Sequence, residues 1–200
     1  MTGSPTRRPI SDVTWTPPPQ WVGWVPGAAQ ADAEALAAQV TDDPAVIPGV
    51  AAGLRALDTA WSDPAGAPVT MGAWLPHPAA GVVAGSLVIR LISPDPDGRL
   101  SPEALLALAQ DPPRRKGLRV LESSAAPGQL AAGPAVLLVT DLTARFSRRI
   151  VREYTWFVLP PGTDETLMCQ FETDQAWAFE PLGDQTNLVT DSLVVTLEDA

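Results

Sequence analysis

Two hundred residues suit one domain, able to bury roughly 70% of the surface its unfolded chain would expose, and 46% hydrophobic residues exclude wholesale disorder. Acidic residues number 23 against 13 basic, a net charge of −10, which opposes binding to nucleic acid or to an anionic membrane. A single cysteine, Cys169, leaves no disulfide framework and no thiolate metal cluster, and no uninterrupted apolar run approaches the roughly 18 residues of a membrane span.

Residues 1–14 are polar, basic and proline-containing and read as a disordered tail, with 15–200 as one domain. No apolar stretch follows Arg7-Arg8 and no cysteine lies near the start, so neither an export signal nor a lipid anchor is expected. The cytoplasm is the expected compartment. Trp15, Trp21 and Trp24 flank three prolines at 17–19. An extended segment and a short edge strand at 21–25 follow, with the indoles clamping the chain onto its own core.

Ala29, Ala33, Leu36 and Val40 make one helical face across 28–40, and Thr41-Asp42-Asp43-Pro44 breaks it. A second helix runs to Trp61 with the stripe Ile47, Val50, Leu54, Leu57 and Trp61, which leaves Arg55 and Asp58 in solvent. After a turn at 62–68, residues 69–75 alternate as a strand, and 82–92 read as its hairpin partner. A loop spans 93–98, and Ser101-Pro102-Glu103 supplies an N-cap hydroxyl, a first-turn proline and an acid near the positive helix end. Residues 118–123 read as a strand, and the small residues at 125–133 as a loop.

The stretch 134–173 organises the chain. Runs at 135–142, 149–159 and 165–173 are rich in β-branched, aromatic and long apolar side chains, and each stops at turn residues. Connections this short join antiparallel neighbours. Strict alternation sets Cys169 on the face of Leu167 and Phe171, as a core thiol. The end of the chain is ambiguous: Leu182, Val189, Leu193 and Leu197 have helical spacing, yet Val194, Val195 and Thr196 are β-branched. A closing helix over 184–197 is expected.

This order of elements resembles the Mog1/PsbP/LpqN-like fold as found in actinobacterial proteins of unknown function. The residues carrying the resemblance are Pro18-Pro19-Gln20-Trp21, Gly133-Pro134-Ala135-Val136, Tyr154-Thr155-Trp156-Phe157-Val158-Leu159-Pro160, Leu167-Met168-Cys169-Gln170-Phe171-Glu172-Thr173 and Asp191-Ser192-Leu193. They span about two thirds of the chain and are packing patterns rather than catalytic signatures. The resemblance implies an α+β fold, an α/β/α sandwich with an antiparallel β-sheet packed between helices. It also implies non-catalytic work, since members bind or escort other proteins. The chain departs from the lipoprotein branch, which has an anchoring cysteine, and residues 27–66 place two helices where shorter relatives have less.

Candidate chemistry is sparse. His77, the one histidine, sits between two prolines in a turn without a second ligand or a nucleophile at useful spacing. Asp42-Asp43, Asp95-x-Asp97 and Glu198-Asp199 read as solvated turn formers, and no calcium loop follows Asp95 because its twelfth position is Leu106. No nucleotide-binding or nucleophile-elbow motif occurs. No catalytic residue, cofactor or metal is therefore expected.

The basic patches are Arg114-Arg115-Lys116 and Arg145, Arg148, Arg149 and Arg152. A charged hairpin that deters edge pairing is the plainer account of the second patch, and a seat for an acidic partner the sharper one. Seven tryptophans are many for one domain. Trp74, Trp156 and Trp177 do not obviously all fit inside, and with Arg148 and Arg152 they form the candidate partner-binding surface. The expected function is that of a non-enzymatic protein-binding or accessory protein. The alternative is a carrier of a small apolar ligand in a closed pocket between sheet and helices, where the alanines and glycines of 27–53 leave room.

Overall fold

The computed structural model describes residues 7–61, 68–94, 100–112, 117–144 and 147–199. The expected turn at 62–68 (except Pro68), the Asp95–Asp97 pair, the 114–116 basic patch and Arg145 lie outside the described residues. The chain runs β1 (Ile10–Thr14), β2 (Trp21–Trp24), α1 (Ala28–Ala37), α2 (Ile47–Ala60), β3 (Thr70–Trp74), β4 (Gly85–Ile92) and α3 (Pro102–Ala107). It continues through β5 (Leu118–Leu130), β6 (Gly133–Ala144), β7 (Ile150–Val158), β8 (Thr166–Thr173), α4 (Phe179–Asp191) and β9 (Val194–Leu197).

Seven strands form an antiparallel sheet in the order β2-β3-β4-β8-β7-β6-β5, and β1 pairs with β9 in a separate ribbon. The three-strand meander expected from 134 onward is β6–β8. Strand side chains alternate between faces, so the register sorts them. Leu87, Phe171, Tyr154 and Val139 lie across one face, and Val88, Gln170, Thr155 and Leu138 across the other. On the first face Trp15, Trp21, Trp74, Trp156, Cys169 and Phe171 pack against Leu182 and Val189 of α4. On the second, Val22, Trp24, Met71 and Val88 pack under the small residues of α1 and Val50, Ala51 and Leu54 of α2, and Leu105 of α3 seals Val136, Leu138 and Phe157. The molecule is thus an α+β sandwich with helices on both faces of an antiparallel sheet.

Local chemistry explains several elements directly. The Ser101 side chain accepts from the Ala104 N–H and starts α3 as its sequence predicts. Trp15 packs closely on the sheet because Gly23 and Gly72 offer no side chain there; a Cβ at Gly23 would stand 2.7 Å from its ring. The Trp15 indole N–H donates to Thr70 Oγ1, which itself donates to the Trp24 carbonyl.

Four expectations are corrected. Residues 10–14 are not tail but strand β1, held by backbone pairing with β9 and by Glu165 accepting from the Ile10 N–H. Residues 125–130 are not loop: β5 pairs with β6 as far as Leu130–Gly133. The closing helix begins at Phe179 and ends at Asp191, and the β-branched run 194–197 is strand β9. Asp58 is not solvated but fully buried.

Candidate functional site

The β8 strand ends at Thr173, and the eight residues from Thr173 to Glu180 carry ring, ion-pair and hydrogen-bond contacts to several other elements. The turn is tied down on both sides. Thr173 Oγ1 donates to the Ala84 carbonyl at 2.6 Å, and Gln175 Nε2 donates to the Val83 carbonyl at 3.1 Å. These bonds fasten it to the β3–β4 connection. Arg149 forms an ion pair with Asp174 on the opposite side.

Trp177 follows, 52% exposed, and it does not hang free. Its ring lies 6.5 Å from Trp74, which stacks 6.5 Å from Trp21, which meets Trp15 edge-on at 6.1 Å. His77, exposed at the entry to a short 3-10 turn, completes the file with its ring 5.7 Å from Trp177. Five rings therefore run from the N-terminal segment to the surface, the outer two open to solvent. The Trp74 Nε1–H is buried with no acceptor among the described residues.

Two residues further on, Phe179 supports Arg152, whose guanidinium lies 4.7 Å above its ring. Asp141, directly opposite on β6, takes Arg152 in a two-pronged contact at 2.7 and 2.8 Å, and Glu180 adds a third at 3.2 Å. The hydrogen bonds to Asp141 push the Arg152 pKa further above its ordinary value, against the opposing effect of burial. The neighbouring Tyr154 hydroxyl donates to the Phe179 carbonyl at 2.6 Å, and burial raises its pKa. Arg152 is therefore a fastener for the start of α4 more than an open hand for a partner.

On the other side of the same turn, α2 and the sheet enclose a cleft of about 350 Å³. Its helical wall is Gly53, Ala56, Leu57 and Ala60, one stripe at i, i+3, i+4 and i+7. Its floor is Ala84 just before β4, Ser86 of β4, Val151 of β7, and Glu172 and Asp174. The floor belongs to a polar row crossing five strands: Ser123, Thr140, Glu153, Glu172 and Ser86 are successive cross-strand partners. Glu153 in that row is 4% exposed.

Of the five residues proposed as a partner-binding surface, Trp177 lies in this turn, Arg152 of β7 packs on its far end through Phe179 and Glu180, and Trp74 lies beneath it. Trp74 is not surface: at 2% exposure it is the support of Trp177. Trp156 is not surface either. It is 6% exposed, donates its Nε1–H to Thr186 at 3.1 Å, and rests against Gly128, where a Cβ would stand 2.8 Å from its ring. The interior accommodates Trp156 because Gly128 faces its ring, and Trp74 because it lies in the file of aromatic rings. Arg148 is exposed before β7 begins at Ile150, so the even spacing that would align it with Arg152 does not apply.

Cys169 is fully buried on the face of Phe171, and burial drives its thiol pKa upward, which removes it as a nucleophile. Asp42, Asp43, Glu198 and Asp199 are exposed. Among the described residues no group of three His, Cys, Asp or Glu side chains is placed to hold a metal, and no helix is long and apolar enough to cross a membrane. The cleft wall was the feature sequence reasoning placed least well. Its signal was the second stripe of α2, all small or apolar, beside the buried stripe of Val50 and Leu54.

No family model matches the chain, and no curated protein matches its sequence. Among solved structures it is similar to LpqN of Mycobacterium tuberculosis, a protein involved in cell envelope biogenesis. The TM-score is 0.48 at 13% identity, covering 98% of this chain and 87% of that one. It is also similar to PA94 of Pseudomonas aeruginosa, a protein of unknown function described as a putative regulator, with TM-score 0.37 at 19% identity, covering 57% of this chain and 74% of that one.

Proposed function

We propose that this chain is a non-enzymatic accessory protein that binds a partner protein through the surface formed by Trp177 and His77. One observation carries the reading: a half-exposed indole makes tilted ring contacts with His77 beside it and with Trp74 beneath it, which in turn stacks on Trp21. An aromatic side chain already fixed in its bound orientation loses little conformational entropy on docking and offers a large contact area. Tryptophan is prominent among the residues that dominate interface energetics. The adjacent Arg152 and Arg149 are engaged by Asp141 and Asp174, so they frame the turn while the rings make the contact.

The test is a photo-crosslinking side chain at His77, with a control at Leu188, which is 55% exposed on α4. In cells that make the protein, the expected result is a discrete protein adduct from position 77, absent from position 188 and abolished by Trp177→Ala. An adduct indifferent to Trp177→Ala, or none at all, overturns the reading. Because half of the Trp177 surface already meets water, that substitution is expected to cost only about 1–2 kcal/mol of stability.

A second reading, carriage of a small apolar ligand, is favoured by the 350 Å³ cleft beside α2. The cleft differs from the closed cavity expected from the sequence: Ala56 and Ala60 on its wall are exposed, so it opens to solvent.

A further inference from the structure

We infer that the cleft between α2 and the sheet binds a small amphipathic primary amine, an apolar body ending in an ammonium. The inference rests on the carrier reading above and adds the ligand's chemical class.

The wall sets the apolar half. Along the stripe Gly53, Ala56, Leu57 and Ala60 only Leu57 reaches beyond a methyl group. Gly53 marks the seam where helix and sheet meet: a Cβ there would stand 3.1 Å from Val83. From that seam the cleft widens to about 350 Å³, the room of about a dozen waters at roughly 30 Å³ each. A body of about six to ten carbons fits such a space.

The floor sets the polar half. Among the described residues, the charged side chains lining the cleft are two carboxylates, Glu172 near the end of β8 and Asp174 just beyond it. Arg149 pairs with Asp174 at the rim. Glu172 lies in the cross-strand row with Ser86 on one side and the buried Glu153 on the other. An anionic head would meet this row with like charge, whereas an ammonium offers three donors to acceptors on Glu172, Ser86 and Asp174. The net charge of −10 adds a long-range field of the same preference.

The experiment is a titration of the full chain, followed by backbone amide resonances, with hexylamine, hexanol and hexanoate in parallel at neutral pH. Saturable shifts are expected at Gly53, Gly85 and Ser86, with hexylamine binding about tenfold more tightly than hexanol and hexanoate not binding. Glu172→Gln is expected to bring hexylamine down about tenfold, to the level of hexanol. Ala56→Leu fills the cleft from an exposed helix position that tolerates the larger residue, and is expected to abolish both. Equal binding of amine and alcohol overturns the amine assignment while the carrier reading stands. No saturable shift from any of the three overturns both.

Discussion

Asp58 holds two donors from other elements. Its Oδ1 accepts from the Trp24 indole N–H at 3.1 Å and from the Gly27 backbone N–H at 2.9 Å. It thereby joins β2 and the first turn of α1 to α2. Removing the acceptor strands the buried Trp24 indole N–H, an orphan that costs about 1–3 kcal/mol, and takes the partner from the Gly27 N–H at the exposed start of α1. Asp58→Ala is therefore expected to lower stability by about 2–4 kcal/mol, whereas Asp58→Asn, which keeps an oxygen in place, is expected to cost about half as much. Urea denaturation of both variants measures this, and equal losses would contradict the assigned role of Oδ1. The stripe rule placed Asp58 in solvent because it ranks residues by hydropathy. The demand of a buried indole for an acceptor comes from a strand 34 positions earlier. Cys169 was legible for the converse reason: its place depended only on alternation with Leu167 and Phe171 within one strand.

At the scale of elements, two misplaced segments share one cause. Residues 10–14 have the composition of a tail, and 194–197 continue a helical spacing, yet each is the other's β partner. The Ser11 hydroxyl bonds the Thr196 carbonyl across 185 positions of chain, a separation that no local pattern encodes. The helix stops where its own side chains consume its carbonyls, with Thr190 Oγ1 donating to Thr186 and Ser192 Oγ to Val189. The meander β6–β8, the α1–α2 pair and the Ser101 cap were legible because short-range periodicity and turn chemistry suffice for them. The candidate site was legible in part. Its tryptophans were named, but which of them reach the surface depended on neighbours in distant elements, Gly128 for Trp156 and Trp21 for Trp74. Ending the chain at Ser192 removes β9, and β1 then has no partner ladder. Hydrogen exchange is expected to show Asp12, Val13 and Thr14 losing protection while amides of β6 and β7 stay slow. Retained protection at Asp12–Thr14 would contradict the pairing.

The whole molecule has to stay apart from its copies, and its longest edge shows how it does so. The outer strand of the sheet is β5, 13 residues long, with Leu118 and Leu121 exposed at 42% and 44%. Such an edge invites pairing. Two features oppose it. The register of β5 on β6 shifts between Val120 and Glu122, a bulge that bends the strand away from a flat partner. Pro127 is the second. Leu130 and Gly133 flank a two-residue turn and form a hydrogen-bonded pair, and alternation then points the backbone groups of Gln129, Pro127, Ala125 and Ser123 outward. The missing N–H of Pro127 thus falls on the free edge, midway along the segment past the bulge, where a pairing strand would need a donor. The net charge of −10 supplements this local block with repulsion between copies. Pro127→Val restores the donor and adds β propensity without touching the core. It is expected to produce concentration-dependent self-association, seen by sedimentation velocity as species heavier than the parent at equal concentration and enhanced by salt as repulsion is screened. If the variant sediments like the parent at every concentration and ionic strength, the proline is not the guard of this edge, and the bulge alone keeps copies apart.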